Sequence, residues 1–316
     1  TLASVRLARE MGCQVVSNPE LNAETLVDAI SDFEVLVVRS TKVSAAVIAA
    51  SKALSLIIRA GAGVNTIDLD AASQRGIHVT NCPGKNTEAV AELAIGLMIA
   101  ADRRIPHAGA DLAKGAWKKG EYGKACGLKG RTLGVIGLGN IGQAVIDRAK
   151  GLEMEVIAWS RSLTPEAAKA MGVARAESPL EIAAKADVVS LHVAYSKSTT
   201  HHLINAEFLA SMKKGAILIN TARGEVVDTA ALKDAIREKG LRVGLDVFEN
   251  EPKGSTDVFA DQELAEIAIC TPHIGASTDQ ASEAIADETV RIVQTFIDTG
   301  MPANVVNVRL QAATTH

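Results

Sequence analysis

The alternation of apolar and polar positions divides the chain into two series of short β-rich runs separated by helical patterns. In the first, residues 1–12 have helical spacing and stop at Gly12. Strands are predicted at 34–40, 54–61 and 77–81, with helices at 43–51 and 69–76 between them. The turn cluster at 81–86, "NCPGKN", precedes a long helix in which Val90, Leu93, Ala94, Leu97, Met98 and Ala101 recur on one face. Asn86 or Thr87 can cap that helix, and Glu88 and Glu92 suit its positive end. Residues 115–130, "GAWKKGEYGKACGLKG", read as loop. The second series predicts strands at 132–136, 155–159, 188–193, 216–220, 243–247 and 267–271. A closing helix is expected at 279–298, capped by Thr278 and stopped by Gly300 and Pro302. Strands separated by helices pair in parallel, so the pattern predicts an α/β chain of two Rossmann-like, doubly wound parallel-sheet domains. The series opens on a helix where such a unit opens on a strand, so a strand is expected ahead of residue 1.

Composition narrows the reading. A chain of 316 residues with 47% apolar residues suits about two full-sized domains. With 33 Lys and Arg against 37 Asp and Glu, the net charge of −4 offers no footprint for nucleic acid, and 3% aromatics is poor for stacking bases. The apolar run near residues 93–101 is far short of the roughly 20 residues that span a bilayer, and no signal-peptide pattern opens the chain. The expectation is a cytoplasmic protein with no membrane partner. Cys13, Cys82, Cys126 and Cys270 form no CxxC pair and no metal-ligand spacing occurs, so no metal is expected.

Candidate chemistry begins at "GVIGLGNIGQAV", which holds Gly137-x-Gly139-x-x-Gly142 between a predicted strand and a predicted helix. In that setting the three glycines serve a tight turn, close approach of a pyrophosphate, and close helix–strand packing. The free N–H groups of Asn140 and Ile141 face the phosphates. The following strand ends at Trp159-Ser160-Arg161, where an acid would hold the ribose of NAD. A small hydroxyl beside an arginine can instead accept a 2′-phosphate, which leaves NAD and NADP both open. His192 ends another strand and can border the cofactor.

Three later strand ends carry polar groups of one chemical kind. Arg223 lies in "ILINTARGEVVD", Asp246 and Glu251 in "VGLDVFENEP", and His273 in "ICTPHIGAST". Oxidation of a 2-hydroxy acid needs these types. A planar guanidinium binds the carboxylate, an imidazole moves the hydroxyl proton, and a carboxylate fixes the imidazole tautomer. Taken singly, such an arginine or histidine is more often a surface ion pair. Together, after the glycine turn, they read as a site.

At these residues the chain resembles the D-isomer-specific 2-hydroxyacid dehydrogenase family. "GVIGLGNIG", "NTARGEVVD", "GLDVFENEP" and "TPHIGAST" look like its signatures, in order, and the likeness covers nearly the whole chain. The resemblance implies Arg223, Glu251 and His273 as the catalytic set and Asp246 near the nicotinamide amide. Thr221, Ala222 and Gly275 belong with the cofactor site at the same strand ends. It also implies a discontinuous substrate domain, residues 1–85 with 276–316, around a nucleotide-binding domain at 86–275, hinged near Pro83 and Gly275.

Within the family, "VVRSTKVSAAVI", "IIRAGAGVNTIDLDAASQRGIHVTN" and "PGKNTEAVAELAIGLMI" are most similar to the phosphoglycerate dehydrogenases. That likeness implies oxidation of 3-phosphoglycerate to 3-phosphohydroxypyruvate, the entry to serine biosynthesis, or its reverse. The backbone of Gly61, Ala62, Gly63 and Val64 would meet the substrate carboxylate, and Arg39, Lys42 and Arg59 a distal phosphate. A homodimer or tetramer is expected, with Lys118 or Lys119 reaching a neighbour's cleft. Two alternatives stay open: a glyoxylate or hydroxypyruvate reductase, and an NAD(H)-sensing corepressor or scaffold. The sequence departs from the family at Ser160-Arg161 and at residues 193–199, where "VAYSKST" replaces a proline-containing loop. Phosphoglycerate dehydrogenases often continue into a regulatory domain that residues 1–316 do not contain.

Overall fold

The computed structural model describes residue 5, residues 8–252 and residues 258–307. Part of the predicted first helix lies outside these residues; residues 8–10 are helical, and Gly12 follows with φ of 85°. The chain separates into two compact units, one of Thr1–Asn86 with Ser277–His316 and one of Thr87–Ala276.

The first unit is built on a three-stranded parallel sheet, β1 (Val35–Val38), β2 (Leu56–Arg59) and β3 (His78–Asn81), paired in that order. Helices Ala45–Ala50 and Leu69–Gln74 connect the strands. Ser44 and Asp68 cap them by accepting from the N–H groups of Val47 and Ala71. Helix Thr25–Ala29, of five residues with one buried side chain, is too short for its periodicity to stand out in the sequence. Residues 301–307 return to the edge of β3. Val305 bridges Thr80 antiparallel, and Asn307 accepts from the Val79 N–H at 2.7 Å. The first and last parts of the chain therefore share one unit. Helix Asp279–Thr299 is capped by Thr278 and closed by Gly300 in the left-handed conformation, and its apolar side buries Ile285 and Ile292.

The second unit carries a seven-stranded, all-parallel sheet. Its strands are β4 (Thr132–Ile136), β5 (Glu155–Trp159), β6 (Ala174–Arg175), β7 (Val188–Leu191), β8 (Ile217–Asn220), β9 (Arg242–Leu245) and β10 (Ile269–Cys270). Their order is β10-β9-β8-β7-β4-β5-β6. The sequence pattern predicts six strands; β6 is the addition. It is two residues long, with one side chain exposed, and carries no alternation to read. Strand β10 is shorter than expected because helix Gln262–Ile267 claims its first predicted residue.

Central strands β7 and β8 are buried on both faces: Val188, Val189, Leu191, Ile217, Leu218 and Ile219 are all at 0% exposure. Two-sided burial is what a parallel sheet covered by helices demands, and each such side chain contributes roughly 1.5–3 kcal/mol. Helix Thr87–Arg103 covers one face of this sheet through Ala94, Leu97 and Met98. It breaks at Arg104, which has φ of 52°, and the chain restarts as helix Ile105–Ala113 with a proline in its first turn. That second helix buries none of its residues, Ile105 and Leu112 being about half exposed, and Pro106 and Gly109 interrupt it in the sequence, so it is not predicted. A short helix, Lys119–Tyr122, also interrupts the segment expected to be loop.

Candidate functional site

The strand order of the second unit's sheet reverses between β4 and β7. One branch proceeds to β5 and β6, the other to β8, β9 and β10. Ligands of such sheets bind at the carboxyl ends of the strands beside this reversal. Every catalytic or cofactor candidate of this unit lies at one of those ends or in the loop that leaves it.

The glycine turn follows β4. Gly137 adopts φ of 99°, and a Cβ there would lie 2.5 Å from the carbonyl oxygen of His192, on the loop leaving β7. A Cβ on Gly142 would lie 2.1 Å from the Gly137 carbonyl oxygen, so the turn closes on the helix only without side chains. Gly139 is different. It precedes helix Asn140–Gly151, is exposed, and a Cβ there would meet nothing within 4 Å. The space above Gly139 is therefore open, and the first N–H groups of the helix, which have no intrahelical acceptor, border it. At the end of β8 the Thr221 Oγ1 is buried and has no hydrogen-bond partner among the described residues. An open glycine cradle under a helix N-terminus after β4 and an orphaned hydroxyl after β8, two strands away, both fit a bound dinucleotide.

His192 stands between them. Its Nε2 is 2.8 Å from the Ser190 hydroxyl, and burial pushes its imidazole down to about 4, which keeps it neutral at ordinary pH. Ser160 and Arg161 follow β5. Ser160 is half-buried and Arg161 exposed at the place where an acid would meet the ribose.

The loop after β8 is organised by Asn220, 1% exposed. Its amide donates to the Arg223 carbonyl at 2.9 Å and accepts from the Ala222 N–H at 3.0 Å. The half-buried Arg223 side chain donates to the Ala222 carbonyl at 2.6 Å. Asn220 ends a run of buried aliphatics, and as a fully buried polar residue closing an apolar strand it is the signal that identifies this positioning role.

After β9 the Asp246 side chain is 2% exposed and fully engaged. Oδ1 accepts from Thr271 Oγ1 at 2.7 Å and from the Ile274 N–H at 2.8 Å, and Oδ2 accepts from the Gly275 N–H at 2.8 Å. The His273 N–H donates to the Asp246 carbonyl at 2.8 Å. The residue expected beside a nicotinamide amide thus spends its carboxylate on the turn that carries His273. A Cβ on Gly275 would lie 2.9 Å from Asp246 Oδ2, so glycine is required there for the turn to reach the carboxylate.

His273 has φ of 52°, an uncommon conformation for a residue with a side chain. Its Nδ1 is 2.8 Å from Glu251 Oε2, while Glu251 Oε1 accepts from the Phe248 N–H at 3.1 Å. Burial pushes the Glu251 carboxyl up. The hydrogen bond and attraction to His273, the Phe248 N–H and the positive charge of Arg223 outweigh it and hold the carboxyl below its ordinary range. With Nδ1 occupied, Nε2 is the ring nitrogen left for a ligand.

The remaining candidates lie in the first unit. Arg39 and Lys42 are exposed in the segment after β1; Arg59 ends β2 and is half-buried. The loop after β2 turns at Gly61, whose φ is 149°, with the Arg59 guanidinium lying where its Cβ would be. Asn81 holds the loop by donating to the Ala62 carbonyl at 2.6 Å, and Gly63 and Val64 are half-buried beside it. Among the described residues no cluster of three or more His, Cys, Asp or Glu side chains could hold a metal, and no helix is long and apolar enough to cross a membrane.

Comparison with known proteins bears on this arrangement. Over 306 residues, 96% of the chain, the sequence is 40% identical to a D-3-phosphoglycerate dehydrogenase of Methanocaldococcus jannaschii, of whose length it spans 57%. It is 39% identical over 89% of its length to a glyoxylate reductase of Thermococcus litoralis, of which it covers 86%. The structure resembles the D-lactate dehydrogenase of Aquifex aeolicus, solved with NAD and lactic acid, with a TM-score of 0.80, 30% identity and coverage of 94% and 93% of the two chains. Residues 95–275 match the family model described as D-isomer specific 2-hydroxyacid dehydrogenase, NAD binding domain. The second unit is accordingly an NAD-binding domain, and the chain belongs to the D-isomer specific 2-hydroxyacid dehydrogenase family.

Proposed function

We propose that the protein interconverts a 2-hydroxy acid and the corresponding 2-oxo acid, with Arg223, Glu251 and His273 as its working residues. The observation that carries the reading is the His273–Glu251 hydrogen bond, which leaves Nε2 of an oriented imidazole available after β10, two strands from the end of β8 that carries Arg223, whose charge acts on Glu251. The Arg223 guanidinium presents two parallel donors that match a carboxylate, and so holds the carbon bearing the hydroxyl in one orientation. His273 Nε2 takes the hydroxyl proton in oxidation and returns it in reduction. Glu251, kept ionised by its surroundings, stabilises the protonated imidazole and fixes Nδ1 as the bonded nitrogen. NAD, when bound on the glycine turn, supplies the hydride chemistry. Gly137, Gly139 and Gly142 with Asn140 and Ile141 would hold its pyrophosphate, and Thr221 would satisfy its buried hydroxyl on it.

For the substrate we favour 3-phosphoglycerate. Arg39, Lys42 and Arg59 supply three positive charges in the first unit for a distal phosphate, and the extent of identity to the archaeal phosphoglycerate dehydrogenase supports the reading. A second reading, a glyoxylate or hydroxypyruvate reductase, is favoured by the glyoxylate reductase relative, whose length the chain nearly fills, and by the exposed Arg161. The test is a substrate panel of 3-phosphoglycerate, hydroxypyruvate, glyoxylate and D-lactate against NAD(H) and NADP(H). Preference for the phosphorylated acid, lost on Arg59→Ala, supports the first reading; equal use of glyoxylate with NADPH supports the second. In the same assay Arg161→Ala is expected to raise the KM for NADP more than that for NAD, by about tenfold. An unchanged ratio would remove Arg161 from the cofactor site.

A further inference from the structure

The loops carrying Arg223 and Glu251 are joined by a pair of residues that no reaction step uses. His202 Nε2 lies 2.6 Å from Glu249 Oε1. The His202 backbone N–H donates to the Glu225 carbonyl at 2.9 Å, and the next ladder contact runs from the Ile204 N–H to the Val226 carbonyl at 3.0 Å. Glu249 Oε2 accepts from the Thr229 N–H at 3.3 Å, at the start of helix Thr229–Lys239. One side chain and one backbone group of His202 therefore grip two loops at once. Glu225 is two residues from Arg223, and Glu249 is two residues from Glu251. Between them a Cβ on Gly224 would collide with the Phe248 backbone at 1.9 Å, so the two loops already touch main chain to main chain and small changes in one are transmitted to the other.

Three further features fit a device under constraint. His202 has φ of 48°, a left-handed conformation that glycine adopts freely and a β-carbon resists, so a histidine there is held by its contacts. Its ring is stacked on His201 with centroids 4.0 Å apart, and Tyr195 meets His201 edge-on at 6.2 Å. The Glu249 carboxyl is pushed up by burial, but hydrogen bonds from His202 and Thr229 prevail and hold it low.

We propose that the His202–Glu249 pair is a strut that sets the spacing between Arg223 and the Glu251–His273 pair, so that both are positioning residues; the inference rests on the roles proposed above for those three groups. A reacting carbon must meet the guanidinium and the imidazole together, and displacement of a catalytic group by about 1 Å can cost up to about a hundredfold in rate. The strut fixes that geometry without touching substrate or cofactor.

The test compares Glu249→Ala, Glu249→Gln, His202→Gly and the double variant His202→Gly/Glu249→Ala in the full chain. It uses NADH and the 2-oxo acid that the parent protein reduces fastest. Glu249→Ala and His202→Gly are each expected to lower kcat about tenfold while the Kd for NADH stays within about twofold, because the glycine turn is untouched. The double variant should lose no more than the worse single one, since both remove the same contact. Glu249→Gln keeps an acceptor for His202 and should retain about half of kcat or more. His202→Gly relieves the strained φ, so a loss of kcat without a fall in Tm is not a folding defect.

A second measurement needs no turnover. The Phe248 N–H is held by Glu251 Oε1, and its hydrogen exchange should quicken in Glu249→Ala. Unchanged kcat in both single variants, losses that multiply in the double variant, or unaltered Phe248 exchange each overturn the strut. If the parent protein reduces no acid in the panel, the proposed reaction fails instead, and the Phe248 exchange still decides the strut.

Discussion

Two buried carboxylates, Asp246 in the second unit and Glu288 in the first, make a useful pair. Asp246 is 2% exposed and Glu288 6%, and each has both oxygens hydrogen-bonded. They are chemically alike and do different work. The partners of Asp246 are Thr271 and the main-chain N–H groups of Ile274 and Gly275, so its charge folds a turn at a strand end and sets His273 at its crest. The partners of Glu288 are side chains: Arg291 by a two-pronged contact at 2.6 and 3.0 Å, Asn304 at 2.7 Å and Lys85 at 3.4 Å. Its charge ties the last helix to the segment after it and to the turn after β3. A carboxylate that binds backbone shapes a loop. One that binds side chains clasps elements whose shape is already set.

The comparison predicts opposite phenotypes. In Asp246→Asn one oxygen becomes an NH2 group facing a backbone N–H, so a donor meets a donor where no water can intervene. The turn must open, and His273 leaves its bond with Glu251. This substitution should have the largest effect: kcat lower by about a hundredfold, with a stability loss of about 2 kcal/mol. Steady-state kinetics and thermal melts on one preparation decide it. A variant that melts early but turns over normally would show that Asp246 is a clasp like Glu288.

Much of this was open to the sequence, for identifiable reasons. β4 and β5 match their predicted limits because each holds a short β-rich apolar stretch, Leu133–Ile136 and Val156–Trp159, that stops at a turn residue, Gly137 after β4 and Ser160 after β5. The glycine turn is legible because its spacing is a local backbone requirement, visible again where a Cβ on Gly142 would strike the Gly137 carbonyl. Helix Ile105–Ala113 was hidden because Pro106 and Gly109 read as breakers, and β6 because it is too short to alternate. The occupation of Asp246 by the His273 turn and the His202–Glu249 contact join residues up to 47 positions apart. Such pairings follow from strand order, and strand order is a property of the sheet that no single segment announces.

The opposite half of the comparison is Glu288→Gln. The bonds from Arg291 and Asn304 weaken but the sheet of the first unit keeps its shape, so a stability loss of about 2 kcal/mol is expected, or about 5 °C in Tm, with kcat at saturating substrate unchanged. A fall in kcat as large as that of Asp246→Asn would abolish the distinction between clasp and shaper.

The smallest effect is also the most specific, because it isolates charge from shape. The Arg291 guanidinium, with Asn304 and Lys85, holds the Glu288 carboxyl down at about 2 against the tendency of burial to raise it. A group with a depressed folded pKa binds its proton more readily when unfolded. Its stabilising contribution is therefore complete above the unfolded value of about 4.5 and is lost as pH falls towards 2. The Tm difference between the parent protein and Glu288→Gln should then be constant from pH 7 to about 5 and close steadily between about 4.5 and 2. A difference that persists undiminished at pH 3 would mean that packing around the longer amide, not loss of the ionised clasp, accounts for the destabilisation.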